Sequence, residues 1–507
     1  MTTDTAAATL TSLLTPLADV DDRGLWFEGQ FVSWRDHLGH AGAVAAAVRG
    51  LLSDDGPPHV GVLLTNTPEF ASLIAGAVLD GYVIAGLNTT RRGASLAADV
   101  ARADCQVVFV SDDTAALVDG LDLGVPVINV DSDRWQRQVA THVGPSAPHR
   151  ADVDGDDLLM LIFTSGTTGD PKAVRCTHRT FAAAGKMLAD RFEIGADDVV
   201  YLSMPMFHSN AMIAGWTVAV AGGASIALRR SFSARGFVAD VRRYGVTYAN
   251  YVGKPLNYIL ATEASDDDAK CSLRIMYGNE ASARDRRRFA ERFGCRVIDG
   301  FGSTEGGVAI TRTPDTPDDA LGPLRAPTAV VDPETGAPLG PGEVGELVNT
   351  SGPGLFNGYY RDPDATEERL RDGVYHTGDL AWVDDAGYIY FAGRLGDWLR
   401  VDGENLATGP IERILLRHPA IRQVAVFGVA VEIGDEIEAV LVVQGALTAS
   451  ELTDFLATQG DLGPKQWPHR IRIVDALPET ATFKTVKRVL RDAAEPPTWV
   501  REGHTYR

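Results

Sequence analysis

A chain of 507 residues is too long for one ordinary core, so at least two domains are expected. With 45% hydrophobic and 23% charged residues it reads as globular. Its formal net charge of −21 argues against holding a nucleic-acid duplex or an anionic bilayer by bulk electrostatics. The four cysteines, Cys105, Cys176, Cys271 and Cys295, stand apart at no metal-ligand spacing, so zinc is not suggested and a reducing cytoplasm is expected.

The first residues lack a basic stretch before an apolar run, so no secretory signal is expected. Residues 60–64, 69–79 and 107–110 then read as strand, helix and strand. The same rhythm continues through 158–163 (strand), 178–191 (helix), 199–204 (strand), 211–221 (helix), 224–228 (strand), 232–244 (helix) and 246–252 (extended). Such alternation implies βαβ units and parallel sheet. Residues 209–228 form the one long uncharged run. Its Ala, Gly, Ser and Thr content, with Gly222-Gly223 inside it, favours a buried helix, a turn and a strand over a membrane span. From about Pro323 Gly and Pro become dense, and 344–349, 381–383 and 388–391 read as short strands of a β-rich subdomain. Beyond Arg394 come a helix at 410–416, strands at 423–429 and 438–444, a helix at 449–458 and a strand at 471–474, enough for a compact α+β lid.

The segment Phe163-Thr164-Ser165-Gly166-Thr167-Thr168-Gly169-Asp170-Pro171-Lys172 follows a predicted strand. Glycines let backbone amides approach an anion, four hydroxyls add donors, and Lys172 adds charge. It is not a Walker loop, since no Gly-Lys-Ser/Thr follows the spacer. On composition alone it could also be an ordinary polar surface loop. Only seven of the 47 basic residues are Lys, so a Lys here suggests a need for a compact point charge.

This segment resembles the phosphate loop of the acyl-adenylate-forming enzymes, which include acyl-CoA synthetases, luciferases and peptide-synthetase adenylation domains. Four further motifs follow in that family's order: Phe301-Gly302-Ser303-Thr304-Glu305, Tyr375-His376-Thr377-Gly378-Asp379, Gly393-Arg394 through Gly403-Glu404-Asn405, and Pro478 to Leu490. The resemblance covers nearly the whole chain. It implies an α/β and α+β fold: a large N-terminal domain, 1–395, of parallel-type sheets with a β-rich subdomain, and a small mobile C-terminal α+β lid, 396–507. It implies an ATP-dependent ligase that turns a carboxylic acid into acyl-AMP and then passes the acyl group to coenzyme A.

The resemblance also implies roles. Residues Thr164, Ser165, Gly166, Thr167, Thr168, Gly169 and Lys172 would cradle phosphates. Gly278, Asn279 and Glu280 would meet the adenine edge. The segment Asp299, Gly300, Phe301 and Gly302 would carry the adenine-stacking aromatic, here Phe where the family usually has Tyr. Thr304 would reach the α-phosphate and Glu305 would hold Mg2+. Asp379 would grip the ribose hydroxyls, with Arg394 as a second contact, although an Asp in His-Thr-Gly-Asp read alone is a turn residue. Gly403 and Glu404 would follow the hinge and line the thiol channel, and Gly396 stands where the pivot is expected. Lys484 matches the catalytic lysine, with Phe483 before it where the family usually has Gly. The rival Lys487 reads as a helix-surface charge. His208 would position or gate beside the acyl carboxylate; as a lone His it reads equally as a satisfied core residue.

Residues Arg394 to Asn405 and Pro205 to Ser209 look most like the branch of very-long-chain acyl-CoA synthetases and fatty-acid transport proteins, some of which accept steroid-type acids. The residues themselves add a negative argument. Between His208 and Leu228 there is no Asp or Glu. A site for an amino acid would need a carboxylate there, since burying an unpaired ammonium is costly. A hydrophobic acid is therefore expected. The expected partners are that acid, ATP, Mg2+ and coenzyme A, with no nucleic acid and no integral membrane segment; peripheral membrane contact is left open. A ligase loading a carrier protein, a non-catalytic acyl-adenylate binder and a membrane uptake protein are the alternatives.

Overall fold

A computed structural model describes residues 9–144, 153–164, 171–395, 398–401, 404–431, 435–480, 485–493 and 495–507. The chain forms two compact units, Met1–Gly306 with Leu355–Glu367, and Gly307–Gly354 with Glu368–Arg507.

The first unit holds two largely parallel sheets. One runs in the order Val127–Asn129, Val107–Val110, His59–Leu63, Val83–Gly86, Leu158–Thr164, Lys172–Thr177. Its neighbours are parallel until the last pair, which is antiparallel with Thr164 opposite Lys172. That closing hairpin sets Lys172 beside the end of the largely buried strand Leu158–Thr164. The helix Pro68–Asp80 shows why the crossovers form where they do. Thr67 caps it by accepting from the Phe70 amide, Pro68 opens it, and Gly81 ends it at φ +84°. Such a cap contributes about 1 kcal/mol, and Phe70, Leu73, Ile74 and Val78 are buried.

In the second sheet the strands follow Arg296–Gly302, Ile275–Asn279, Tyr248–Val252, Val199–Leu202, Ser225–Leu228, Gly24–Phe27 and Gln30–Ser33. Among these strands every neighbouring pair is parallel except the closing hairpin. In parallel sheets ligand sites gather beyond the carboxyl ends of the strands. Asn279, Thr304 and Glu305 stand at such ends. Gly278 is required there, because a Cβ would lie 2.2 Å from the Tyr251 carbonyl.

The uncharged run folds as expected into helix, turn and strand, with one addition: Met212–Trp216 is a π-helical turn. The Thr217 amide donates to the Met212 carbonyl, closing the wider turn, and the Thr217 hydroxyl donates to the same carbonyl at 2.9 Å and to that of Ile213 at 3.0 Å. No helix among the described residues is long and apolar enough to cross a membrane.

The second unit has an antiparallel sheet in the order Gly322–Pro323, Tyr388–Arg394, Val374–Val383, Gly345–Asn349, Thr328–Val331. The expected strand at 381–383 is only the end of the ten-residue strand Val374–Val383. A second sheet, Ile421–Ala430, Asp435–Val443, Arg470–Ile473, Trp499–Glu502 and Thr505–Tyr506, packs with the helices Thr408–Leu415 and Ala449–Ala457 around Ile411, Val426, Leu441 and Leu452. The Arg472 guanidinium pairs with the Glu438 carboxylate at 2.6 Å, both buried, and donates to the Leu490 carbonyl at 2.9 Å. The short C-terminal helix is thereby tied to the sheet.

Candidate active site

Within the first unit, Lys172 opens the strand Lys172–Thr177. Its ammonium lies 5.3 Å from the centroid of the Tyr359 ring, within cation–π range. The Tyr359 hydroxyl donates to a Glu305 carboxylate oxygen at 3.0 Å. Lys172, Tyr359 and Glu305 are thus brought together. Tyr359 is 5% exposed and firmly set: its backbone bridges to Val174, its amide donates to Thr366 Oγ1 at 3.0 Å, and its ring meets Phe356 edge-on. Burial, and then the Glu305 charge, push the neighbouring Cys176 thiol well above its usual pKa, so it is inert.

Thr304 and Ser209 share a hydroxyl–hydroxyl hydrogen bond of 2.8 Å. His208, half-buried with its ring 4.5 Å from that of Phe207, immediately precedes Ser209. The next residue, Asn210, donates to the Tyr251 carbonyl at 3.2 Å and accepts from Asn250 at 2.7 Å. The segment carrying His208 is therefore fixed to the strand Tyr248–Val252 by polar side chains. The Asp299 carboxylate is engaged by the Tyr251 hydroxyl, by Arg286 at 3.1 Å and by the Ala281 amide at 3.2 Å. Burial, then Asp299, raise the Tyr251 phenol far above its usual pKa, so it stays a donor. Gly278 and Asn279 end the strand Ile275–Asn279, and Glu280 follows at φ +67°, a left-handed conformation that costs a non-glycine residue. Gly300 is held by a close approach, since a Cβ would sit 2.6 Å from the Tyr277 hydroxyl. Phe301 is half-buried and Gly302 exposed.

Within the second unit, Asp379 is paired with Arg394 across neighbouring strands, with Nε 3.4 Å from a carboxylate oxygen. The turn suggested by His-Thr-Gly-Asp is in fact part of a strand. Lys487 also corrects its sequence reading. It is no free surface charge: its ammonium is 2.9 Å from the Glu412 carboxylate and 3.1 Å from the Thr408 hydroxyl. Ser165, Gly166, Thr167, Thr168, Gly169, Gly396, Gly403 and Lys484 lie outside the described residues, and of Glu404 only the strand position is described.

Tyr359 escaped the sequence reading because it lies 54 positions from Glu305, with no local spacing to mark it. Among the described residues no group of three or more His, Cys, Asp or Glu could hold a metal. A cation at Glu305 would therefore take most of its ligands from nucleotide phosphates and water, the habit of Mg2+.

The profile of the AMP-binding enzyme family matches residues 18–360, and that of the AMP-binding enzyme C-terminal domain matches 410–484. The chain belongs to the AMP-binding enzyme family. It is 56% identical over 497 residues to the medium/long-chain-fatty-acid–CoA ligase FadD17 of Mycobacterium tuberculosis, covering 97% of this chain and 98% of that one. It is 42% identical to the steroid-22-oyl-CoA synthetase of Rhodococcus jostii, covering 93% and 89%. Among solved structures, ATP-bound MatB of Rhodopseudomonas palustris superposes with a TM-score of 0.85 at 25% identity, covering 96% and 99%. The resemblance, fold class and enzyme class expected from the sequence all hold for this family member. It is an AMP-forming acid–CoA ligase working with ATP, Mg2+ and coenzyme A.

Proposed function

We propose that this ligase activates medium- to long-chain fatty acids. The observation carrying this reading is the near full-length 56% identity to a medium/long-chain-fatty-acid–CoA ligase. The stretch 209–228 supports it: Met212, Ala214 and Trp216 are buried and no carboxylate is available to pair a substrate ammonium. A bulky steroid-side-chain acid is the second reading, favoured by the 42% identity to a synthetase for such acids.

A carboxylate oxygen attacks the α-phosphorus of ATP and pyrophosphate leaves. The coenzyme A sulfur then attacks the acyl carbonyl and AMP leaves. Two anions meet in the first step, so fixed donors and positive charge lower its barrier. Residues 164–169 and Lys172 receive the phosphates, Thr304 the α-phosphate, Gly278 to Glu280 and Phe301 the adenine, and Asp379 with Arg394 the ribose. Mg2+ offsets phosphate charge when bound, and Glu305 is the residue to hold it. Lys484 neutralises the attacking carboxylate, and His208 positions it. Residues 1–395 act as the acyl- and ATP-binding domain and 396–507 as a lid pivoting at Gly396, with Gly403 and Glu404 beside the thiol path. The four cysteines are free thiols, in keeping with a cytoplasmic enzyme.

Pyrophosphate release with acetate, octanoate, palmitate, behenate and cholate tests the substrate reading. Each buried methylene contributes about 0.8 kcal/mol, so octanoate or palmitate should exceed acetate in kcat/KM by at least about a hundredfold. Cholate as the best acid would transfer the assignment to the second reading, and acetate as the best acid would refute both.

Tyr359→Phe should raise the Mg2+ concentration needed for half-maximal adenylation and slow that step by about tenfold, since it removes a hydrogen bond to a charged group. Thioester formation from supplied acyl-AMP should be unchanged. An unaltered Mg2+ titration would mean that Tyr359 does not set Glu305.

A further inference from the structure

The strand Val374–Val383 is irregular on both sides. Toward Gly345–Asn349, Leu380 faces Glu346 and His376 faces Val348, which leaves Thr377, Gly378 and Asp379 opposite Leu347 alone. Toward Tyr388–Arg394 the pairing jumps from Leu380 with Gly393 to Ala381 with Phe391. Bulges of this kind re-aim a side chain and strip backbone groups from the ladder. The stripped groups need partners. Thr377 Oγ1 supplies two, donating to the Leu347 carbonyl at 2.7 Å and accepting from the Asp379 amide at 2.9 Å.

The third partner is a buried charge. Glu346, 1% exposed, accepts from the Gly378 amide at 2.8 Å. Its other oxygen is 2.7 Å from His376 Nδ1. Arg371 Nη2 lies 2.9 Å from the same His376 nitrogen and 3.6 Å from the carboxylate. One nitrogen cannot both donate to Glu346 and accept from Arg371; the buried carboxylate is the group that needs the proton, so Nδ1–H donates to it. Gly378 itself takes φ +69°, open to glycine and strained for other residues. A carboxylate in the interior of a sheet is an expensive way to satisfy one amide, unless the amide's position matters.

We infer that Glu346, oriented by His376, is a positioning residue that fixes the bulge and with it the aim of the Asp379 carboxylate at the ribose hydroxyls. This rests on the ribose role proposed for Asp379.

The test compares kcat/KM for ATP and for 2′-deoxy-ATP and 3′-deoxy-ATP in the full-length enzyme. Glu346→Gln should raise KM for ATP by about tenfold, the scale of a small misplacement in a binding constellation, with a smaller change in kcat. Its preference for ATP over the deoxy-nucleotides should shrink toward unity. A residue that serves only stability would slow all three nucleotides in proportion and keep the preference, which would overturn the inference. Should Glu346→Gln not fold, His376→Ala carries the same expectation, and His376→Asn, whose amide can replace the Nδ1 donor, should restore most of the preference. Asp379→Asn separates the two levels. If it keeps the full preference, the ribose reading falls and the inference with it. If it loses the preference while folded Glu346→Gln or His376→Ala keeps it, the inference alone is wrong.

Discussion

Replacing Lys484 with Ala is expected to lower adenylation by about two or more orders of magnitude, the scale for losing one preorganised electrostatic group. Thioester formation from supplied acyl-AMP should be spared, because no second anion has to be brought to the α-phosphate in that step. Spacing alone left Lys487 as a rival. The structure weakens that rival, since its ammonium is held by Glu412 at 2.9 Å and Thr408 at 3.1 Å. Those contacts anchor the start of the helix Lys487–Asp492. Lys487→Ala should therefore cost thermal stability, by leaving the half-buried Glu412 without its cation, and should change adenylation much less than Lys484→Ala. Pyrophosphate release and thiol consumption, assayed separately for both variants, decide the matter. A Lys484→Ala enzyme of normal adenylation rate beside a crippled Lys487→Ala enzyme would move the catalytic role by three positions.

Glu305→Gln should have the second largest effect. The shape is kept, and the Tyr359 hydroxyl can still donate to the amide oxygen, so folding should persist. What is lost is the negative charge, in a neighbourhood with no other cluster of ligands for a metal among the described residues. Half-saturation by Mg2+ should rise by about tenfold and adenylation should fall by about a hundredfold. The effect must exceed that of Tyr359→Phe, because Tyr359 only orients the carboxylate. An unchanged Mg2+ dependence would remove Glu305 from metal binding.

The βαβ rhythm was legible because it is local. Strand Leu158–Thr164 is a continuous apolar run, and the helix His178–Phe192 has an apolar stripe. The helix Trp34–Arg49 was not foreseen. Its HAGAVAAAV core is apolar on most sides and buried, so little periodicity survives. The C-terminal hairpin Trp499–Glu502 and Thr505–Tyr506 is too short to give a pattern. Lys487 was misread because its partner Thr408 stands 79 positions away. Glu346 was invisible for the same reason: its contact with His376 spans 30 positions, and the bulge that gives it purpose exists only once three strands are paired.

The most direct test of the central claim, a two-step ligase working through acyl-AMP, is a quenched mass-spectrometric measurement with palmitate, ATP and Mg2+, first without and then with coenzyme A. Without coenzyme A the enzyme should accumulate bound palmitoyl-AMP and release pyrophosphate in equal amount. Adding coenzyme A should convert that palmitoyl-AMP to palmitoyl-CoA and AMP, again in equal amounts. Formation of ADP and inorganic phosphate in place of AMP and pyrophosphate, or palmitoyl-CoA arising with no palmitoyl-AMP before it, would contradict the account.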